Sequence, residues 1–274
     1  MCEYCSKHGS GKKWYLHTKN YIKNYDSTDH KRKEFTTDFI QHFMNSYKHY
    51  LQTGDIKRIM DNDDPNWVQR QFYNWYFKKK HSGQVVPFEE AKMIMELAGQ
   101  ISLVPCVCRM ANSGEKKNLC MLFMAVPDDF WGADYIKRSE VEHLDIDDAQ
   151  HRINEFYDQG LVQTVWTFNS PHIGAICNCD YPYCTAVRFR KHVNSVKSLL
   201  RSEYYAEIDY NTCTNCRKCI RDCQFGAMSY STSTNKVVIN EIQCFGCGVC
   251  RKDCKSDSIK LFPRENNDKI KAIW

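Results

Sequence analysis

The sequence predicts an α+β fold with a helical N-terminal part, a small mixed α/β cysteine-rich domain and a repeated C-terminal unit. Three observations support this prediction. Aromatic residues recur at helical spacing in the first hundred positions, and short apolar runs alternate with one helix after Gly99. Two cysteine runs of the same spacing follow one another near the C-terminus. Strands followed by a helix and a further strand are typical of an α+β unit.

The composition is that of a globular protein, with 42% hydrophobic and 26% charged residues among 274. The longest apolar run, from Cys120 to Val126, is far shorter than the roughly 20 residues of a membrane-spanning helix. The first residues lack the apolar stretch of a secretory signal. The net charge of +5 is spread along the chain, which favours an acidic protein partner or an anionic ligand over nucleic acid. We therefore expect a cytoplasmic protein without membrane insertion.

The chain divides into five predicted segments. They are an N-terminal arm with a C-x-x-C pair at 1–30, a helical segment at 31–100, a cysteine-rich α+β domain at 101–202, the repeated unit at 203–265 and a tail at 266–274. The repeat is visible because Cys213 recurs as Cys244 and Met228 recurs as Ile259, both at the same offset along the chain.

Three helices are predicted in the helical segment. Apolar residues at i, i+4 spacing from Phe35 to Leu51 predict the first. The second is predicted to begin at Asp64-Pro65, with Asp64 as the N-cap. Its predicted buried face consists of Val68, Phe72, Trp75 and Tyr76. The third runs from about Pro87 to Gly99, and its predicted inward residues are Met93, Ile94 and Leu97.

Short β-branched and apolar runs predict strands in the cysteine-rich domain. The predicted strands span residues 101–107, 119–126 and 161–168. A helix is predicted at 145–159, with Ile146, Ile153 and Phe156 facing one way and Gly160 ending it. A second helix is predicted from about Tyr183 to Leu200, leading into the repeated unit.

Sixteen cysteines in a chain without a recognisable export signal favour metal binding over disulfides, because the cytosol keeps thiols reduced. These cysteines are clustered along the chain. A metal that takes several ligands from one loop requires such spacing, whereas disulfides do not. The sequence therefore predicts metal sites built from thiolates.

Each repeat contains a C-x-x-C-x-x-C-x-x-x-C run. The first run is Cys213, Cys216, Cys219 and Cys223, and the second is Cys244, Cys247, Cys250 and Cys254. This spacing resembles that of bacterial two-cluster [4Fe–4S] ferredoxins, in which the fourth cysteine ligates the other cluster. The resemblance implies a dicluster ferredoxin-like domain whose first cluster takes Cys213, Cys216, Cys219 and Cys254, and whose second takes Cys244, Cys247, Cys250 and Cys223. Gln224 and Lys255 stand where that family usually has proline. The alternative is a pair of structural zinc sites, which usually have longer spacers.

Six further cysteines form a second constellation, made of two C-x-C units, each with a trailing cysteine. They are Cys106, Cys108, Cys120, Cys177, Cys179 and Cys184. On an extended strand, residues i and i+2 face the same side, so each C-x-C unit presents two thiolates to one site. We therefore predict a third iron–sulfur cluster with ligands to spare. The alternative is that these cysteines are small buried hydrophobic residues.

Three segments of the middle region resemble a group of iron–sulfur proteins from anaerobes that joins such a cysteine-rich region to a C-terminal dicluster domain. They are Val104–Arg109, Gly160–Phe168 and Ile176–Cys179. The N-terminal Cys2, Cys5 and His8, followed by Gly9, resemble the start of the same group. These three residues suit a small metal site, and the alternative is a chain end whose thiols have no role. The resemblance implies an anaerobic setting.

Two basic elements follow the cysteines of the middle region, namely Arg109 and the run from Arg188 to His192. One role is to offset the negative charge of thiolate-bound clusters or to hold a small anionic substrate. For the run the alternative is a solvated helix face.

Three functions remain open from the sequence. The first is an electron-transfer protein in which two C-terminal clusters exchange single electrons with a third centre and with a redox partner protein. The second is an oxidoreductase whose third centre reduces a small substrate. The third is a ferredoxin module whose middle region docks a larger redox enzyme.

Overall fold

The computed structural model describes residues 13–21, 65–80, 83–123, 138–167, 173–193 and 195–273, together with position 45. The proposed ligands Cys2, Cys5 and His8 lie outside the described residues. So does the helix predicted between Phe35 and Leu51, apart from position 45. Within the described ranges, every helix is too short or too polar to cross a lipid bilayer.

A six-stranded antiparallel sheet occupies the middle of the chain. Its strands are β1 (Gln84–Val85), β2 (Ile101–Pro105), β3 (Asn118–Leu122), β4 (Glu142–Leu144), β5 (Val162–Trp166) and β6 (Ala175–Cys179). Their order across the sheet is β1-β5-β6-β3-β2-β4. The associated helices are α1 (Trp67–Lys80), α2 (Phe88–Leu97), α3 (Val107–Ser113), α4 (Ile146–Asp158) and α5 (Thr185–His192). Since β1 is the edge strand beside β5, residues 83–100 pack as part of the same unit as the cysteine-rich region.

The two faces of this sheet have different roles, because side chains alternate along each strand. Leu119 and Met121 of β3 are buried in one core with Ile94 of α2 and Ile153 of α4. Cys120 stands between them in sequence and therefore faces the opposite side. One face thus packs against this core, and the other carries the strand thiols and packs against a second core that contains Val162 and Cys179.

The helix α4 matches its prediction closely. Asp145 is the N-cap, and its Oδ1 accepts a hydrogen bond from the backbone N–H of Asp148 at 2.8 Å. Gly160 ends the turn in the left-handed region, with φ of 81°. Ile153 and Phe156 are buried as predicted, but Ile146 is 44% exposed. Ile146 is the first helical residue, and the turns that pack against the core lie further along the helix.

The predicted buried face of α1 is wrong. Val68, Phe72 and Trp75 are 66%, 56% and 57% exposed; the Tyr76 side chain lies outside the described set. The helix meets residues 195–197 through a polar contact instead, because the Asn74 amide donates to the Ser195 carbonyl at 3.0 Å. Amphipathic spacing in the sequence does not show whether a partner element covers that face.

The start of α1 also differs from the prediction. The cap is Asn66 rather than Asp64, because Asn66 Oδ1 accepts from the N–H of Gln69 at 3.0 Å. In return, Gln69 Oε1 accepts from the N–H of Asn66 at 3.1 Å, which completes a capping box. In α2, Ile94 is buried as predicted, whereas Met93 is 47% exposed because the helix turns Ala91, Ile94 and Met95 to the core.

Two predicted elements of the middle domain end earlier than expected. The strand β2 ends at Pro105 and α3 begins at Val107, so Cys106 and Cys108 do not lie on a strand. The helix predicted to reach Leu200 ends at His192. The chain then turns back so that Leu200 bridges to the edge strand, with the Val85 N–H donating to the Leu200 carbonyl at 3.0 Å.

The C-terminal unit contains two antiparallel pairs of strands. Its elements are β7 (Tyr204–Ile208), α6 (Lys218–Asp222), β8 (Met228–Ser231), β9 (Lys236–Ile239), a 3-10 helix (Val249–Arg251) and β10 (Ile259–Pro263). The strand β7 of the first repeat pairs with β10 of the second, and β8 pairs with β9. This exchange holds the two cysteine runs side by side.

Candidate iron–sulfur sites

The two cysteine runs share an unusual backbone conformation. Asn215 and Arg217 lie between cysteines in the left-handed region, with φ of 55° and 64°. Their counterparts in the second repeat are Gly246 and Gly248, with φ of 67° and 77°. Left-handed residues turn successive backbone N–H groups toward a common side and create an anion-binding concavity. Each repeat therefore forms the same cradle from different residues.

Gly246 is required for a second reason. A Cβ atom at this position would lie 2.1 Å from the Tyr204 carbonyl oxygen and 2.2 Å from Ser202 Oγ. The loop holding Cys244 and Cys247 thus approaches β7 more closely than any side chain permits.

The first quartet lines an open recess. Four of the residues that line it are Cys213, Cys216, Cys219 and Cys254. Cys216 is exposed and the other three are half-buried. The recess therefore brings together three cysteines of the first run and the last cysteine of the second, at the protein surface.

The second quartet is more deeply placed. Cys244 and Cys250 are buried, at 7% and 8% exposure. Cys223 lies close enough to affect the ionisation of Cys244, Cys247 and Cys250. Burial is the largest influence on Cys247 and raises its pKa to about 12. The second quartet thus combines three thiols of the second run with the last thiol of the first.

Backbone N–H groups point at the sulfur atoms of the second quartet. The N–H of Ala227 donates to Cys223 Sγ at 3.2 Å, and the N–H of Gly246 donates to Cys244 Sγ at 3.4 Å. Donors aimed at sulfur favour the thiolate over the thiol, and hydrogen bonds to sulfur help set the potentials of iron–sulfur clusters. The residues present therefore fit thiolate-ligated clusters.

The six cysteines of the middle region form a connected group. Thiol contacts join Cys106 to both Cys108 and Cys120. Cys120 also contacts Cys177, while Cys184 contacts both Cys108 and Cys179. Since Cys177 and Cys179 lie two residues apart on the same face of β6, the contacts close into a ring. We call these residues the six-cysteine group.

The sheet and two helix starts build this group. Cys120 on β3 stands directly opposite Cys177 on β6 in the strand register. Cys106 is the N-cap of α3 and Cys184 is the N-cap of α5. Strand alternation therefore explains why Cys177 and Cys179 share a face, as predicted. It does not explain the proximity of Cys106 and Cys108, which are brought together by the first turn of a helix.

Several groups around Cys108 favour its thiolate over its thiol. Its hydrogen bond with Cys106 is the main reason that its pKa is lowered, and Cys184 and the backbone and hydroxyl of Thr185 act in the same direction. The same bond raises the pKa of Cys106, which serves as the donor. The N-terminus of α5 adds positive potential at this point.

Arg109 is buried beside this group, at 7% exposure. One terminal nitrogen donates to Glu115 Oε2 at 2.5 Å, and the other donates to the carboxylate of Asp180. The guanidinium also lies over the Tyr183 ring, 4.1 Å from its centroid. Because both terminal nitrogens are engaged by carboxylates, Arg109 fixes the loop after β6 to α3.

The run from Arg188 to His192 does not form a uniform solvated face. Arg190 is 2% exposed, and its Nε donates to the Leu199 carbonyl at 3.2 Å. Its guanidinium lies 5.4 Å from the centroid of the Phe245 ring. The sequence offered no signal for this burial, because a basic run at a helix end is usually exposed.

A continuous core joins the six-cysteine group to the second quartet. Phe225 and Phe245, which belong to the loops of Cys223 and Cys244, stack with centroids 3.9 Å apart and planes at 8°. Both rings belong to the core that contains Cys179 and Cys184. Cys177 and Cys247 pack against the same core.

Gln224 ties the two units together at the position where the ferredoxin pattern usually has proline. Its amide donates to the Gly160 carbonyl at 2.5 Å, and its Oε1 accepts from the Tyr181 N–H at 2.8 Å. Proline could make neither side-chain bond. The departure from the usual residue therefore has a structural explanation that the sequence alone did not reveal.

Within the described residues, no set of three or more His, Cys, Asp and Glu side chains converges as ligands of one metal ion do. Such convergence is expected of side chains that bind one metal ion. In a cubane, by contrast, four cysteines surround a cluster of four irons.

Residues 212–259 match the family model of the 4Fe-4S dicluster domain. An uncharacterized ferredoxin of Methanocaldococcus jannaschii is 32% identical over 88 residues, which cover 28% of this chain and 58% of that protein. The archaeal-type glutamate synthase [NADPH] of Thermotoga maritima is 31% identical over 71 residues, covering 26% of this chain and 14% of that protein. The archaeal glutamate synthase of Archaeoglobus fulgidus is 29% identical over 72 residues, with the same coverage. The matched part therefore spans less than two thirds of each relative. Residues 212–259 form a 4Fe–4S dicluster ferredoxin domain.

Proposed function

We propose that the protein transfers single electrons between the two [4Fe–4S] clusters of its C-terminal domain and a third iron–sulfur centre held by the six-cysteine group. The dicluster family match and the similarity to a ferredoxin support iron–sulfur electron transfer. Bound clusters would supply reversible one-electron chemistry. The finer assignment depends on how the cysteines are grouped in space.

The observation that carries this proposal is the shared core of the second quartet and the six-cysteine group. Cys247 packs against the same core as Cys177, Cys179 and Cys184, with the stacked Phe225 and Phe245 among them. The side chains of this core are mostly apolar. Two sites that share an apolar core are well placed to exchange electrons, because no diffusing carrier is needed between them.

The proposed ligand sets follow the quartets described above. Cys213, Cys216, Cys219 and Cys254 would hold the first cluster, and Cys244, Cys247, Cys250 and Cys223 the second. Since Cys216 is exposed, the first cluster is the proposed point of exchange with a redox partner protein. We further propose an anaerobic, cytoplasmic setting, in which the thiols stay reduced.

The role of Arg109 favours a relay over a catalytic third centre. A substrate-binding arginine needs donors that are available to an anion, but its terminal nitrogens already serve Glu115 and Asp180. The charge of Arg109 then offsets that of these carboxylates and of nearby Cys106. The metal site predicted at Cys2, Cys5 and His8 remains a prediction.

The proposal is tested by counting iron and acid-labile sulfide in the double variant Cys106→Ser, Cys179→Ser. Three cubanes correspond to about twelve irons and two to about eight, so the variant should lose about four. EPR of the reduced protein should still show both C-terminal clusters. Met121→Leu, on the opposite face of β3, is the control for a packing change without thiol loss.

Two outcomes would contradict the proposed electron relay. An unchanged iron count in the folded double variant would make the six cysteines buried hydrophobic residues and the middle region a docking domain. Turnover of a small oxidised substrate that disappears in the same variant would instead make the third centre catalytic.

A further inference from the structure

Two buried arginines contact the backbone of the second quartet. Arg201 is 2% exposed and Arg264 is 1% exposed. Arg201 Nη1 donates to the Cys244 carbonyl at 3.1 Å, and Arg264 Nη2 donates to the same oxygen at 3.4 Å. Arg201 also lies over the ring of Phe245, 4.3 Å from its centroid. Both cations are thus held at one ligand of the second cluster.

These charges lack direct ion pairs. Within the described part of the chain, neither Arg201 nor Arg264 has a carboxylate at ion-pair distance, and their hydrogen bonds go to backbone carbonyls. Glu203 acts on Arg264 only as a nearby charge. Arginine stays protonated in proteins, so both guanidinium groups carry a positive charge. Buried charge without a partner is strongly unfavourable, which calls for an anion nearby.

Both arginines donate to the carbonyl oxygen of Cys244, a proposed ligand of the second cluster. Four thiolates give a cubane a net negative charge, and reduction adds one more electron. Burial alone disfavours that added charge, and the second quartet is the more buried of the two. Cluster charge, hydrogen bonds to sulfur and solvent exposure are the factors that set its potential.

Among the residues that the structure describes, the first quartet lacks equivalent buried cations. The residue that corresponds to Arg264 in the first repeat is Ser233, which is exposed. The basic residues at its recess are Arg217, which is exposed, and Lys218, which is half-buried. Solvent screens charges at the surface much more than charges in the interior. The fold therefore places buried positive charge beside the second quartet but not beside the first.

We propose that Arg201 and Arg264 are the counter-charge of the second cluster and raise its reduction potential, so that an electron accepted at the exposed first cluster moves inward. This inference rests on the proposed two-cluster electron transfer. A one-electron donor protein reduces the first cluster and is itself oxidised. The electron then passes to the second cluster as the first is reoxidised, without any bond change or proton transfer.

The test is an anaerobic potentiometric titration of the full chain, with dithionite as reductant and EPR as readout. The second cluster is identified by its absence in Cys223→Ser. In Arg201→Gln and Arg264→Gln, its potential should fall by about 59 mV, which is a tenfold loss in the equilibrium for inward transfer. Arg201→Lys and Arg264→Lys keep the charge and should retain most of the potential. Arg217→Gln is the control, because that cation lies beside the first quartet.

Three results would overturn the inference: an unchanged potential in glutamine variants with full iron content, equal shifts in the lysine and glutamine variants, or an equal shift in Arg217→Gln. Where a glutamine variant loads less iron, Arg190→Gln provides a second test, because the Arg190 guanidinium also lies near the Phe245 ring. In Arg190→Gln, a fall in the potential of the second cluster that is smaller than in the other glutamine variants supports the inference. An unchanged potential overturns it. If the unaltered chain bound fewer than about eight irons, the amount that two cubanes need, the result would instead contradict the proposed function.

Discussion

Cys223 ends the first cysteine run in sequence, yet it lies close to Cys244, Cys247 and Cys250. The N–H of Ala227 donates to its sulfur at 3.2 Å and holds it there. In the other direction, Cys254 ends the second run but lines the recess of the first. Each quartet therefore needs one residue from the opposite repeat.

This exchange predicts opposite effects for two matched substitutions. Cys223→Ser should damage the second cluster and leave the first reducible, because serine removes the ligand that crosses between repeats. Cys254→Ser should damage the first cluster instead. Iron analysis and EPR of both reduced variants check the assignment. Loss of the same cluster in both variants would rule out crossed ligation.

Two glycines with positive φ predict different costs of substitution. Gly246→Ala should destabilise the protein by well over the roughly 1–2 kcal/mol of a left-handed alanine, because its Cβ would meet the Tyr204 carbonyl oxygen at 2.1 Å. Gly226 has φ of 74° but nothing within 4 Å of an added Cβ, so Gly226→Ala should cost only that conformational amount. Anaerobic urea denaturation of both variants measures the difference. Equal losses would contradict the close approach of this loop to β7.

At the scale of elements, α2 and α4 support the sheet on the face opposite the thiols. Their buried residues Ile94, Ile153 and Phe156 share one core with β3 and β6. The same helices reach the ferredoxin domain: Glu89 of α2 pairs with Arg251 at 2.8 Å, and the Tyr157 hydroxyl donates to the Gly248 carbonyl at 3.4 Å. These helices therefore position the second cysteine run as well as the sheet.

The N-cap of α4 predicts a measurable contribution to stability. Asp145→Ala should lower the free energy of unfolding by about 1 kcal/mol, because the Asp148 N–H loses its acceptor. Asp145→Asn keeps an equally good capping oxygen and should cost much less. Denaturation midpoints of the two variants check this prediction. A similar loss in both would assign the effect to charge rather than to capping.

On the scale of the whole molecule, the middle domain covers the second quartet but leaves the first open. Phe225 and Phe245 pack into a core with Val85, Val162 and Cys184. Gln224 and Arg251 fix the two units on either side of that core. The thiols of the second quartet are thus shielded by residues far away in sequence.

Removing the middle domain should therefore make one cluster selectively sensitive to oxygen. In a fragment of residues 199–273, reconstituted anaerobically, we expect the second cluster to be lost in air several times faster than in the full chain. The first cluster should be lost at a similar rate in both proteins, because Cys216 is already exposed. EPR after timed exposure to air measures both rates. Equal protection of the second cluster in the fragment would contradict the shielding role.

The sequence by itself determined the local features of this protein. The cysteine spacing, the repeated cysteine run and the end of α4 at Gly160 depend on residues close together in the chain, so the pattern alone predicts them. The grouping of Cys106, Cys108, Cys120, Cys177, Cys179 and Cys184 was also predicted, although the stated reason held only for the strand β6.

Only the tertiary structure decided which surfaces are covered. The exposed face of α1, the buried Arg190, Arg201 and Arg264, and the bonds of Gln224 depend on what lies opposite in space. Spacing shows which residues share a face, but burial is set by contacts between segments distant in sequence. The position of the second quartet against the six-cysteine group is likewise a long-range property, because packing of the two units determines it.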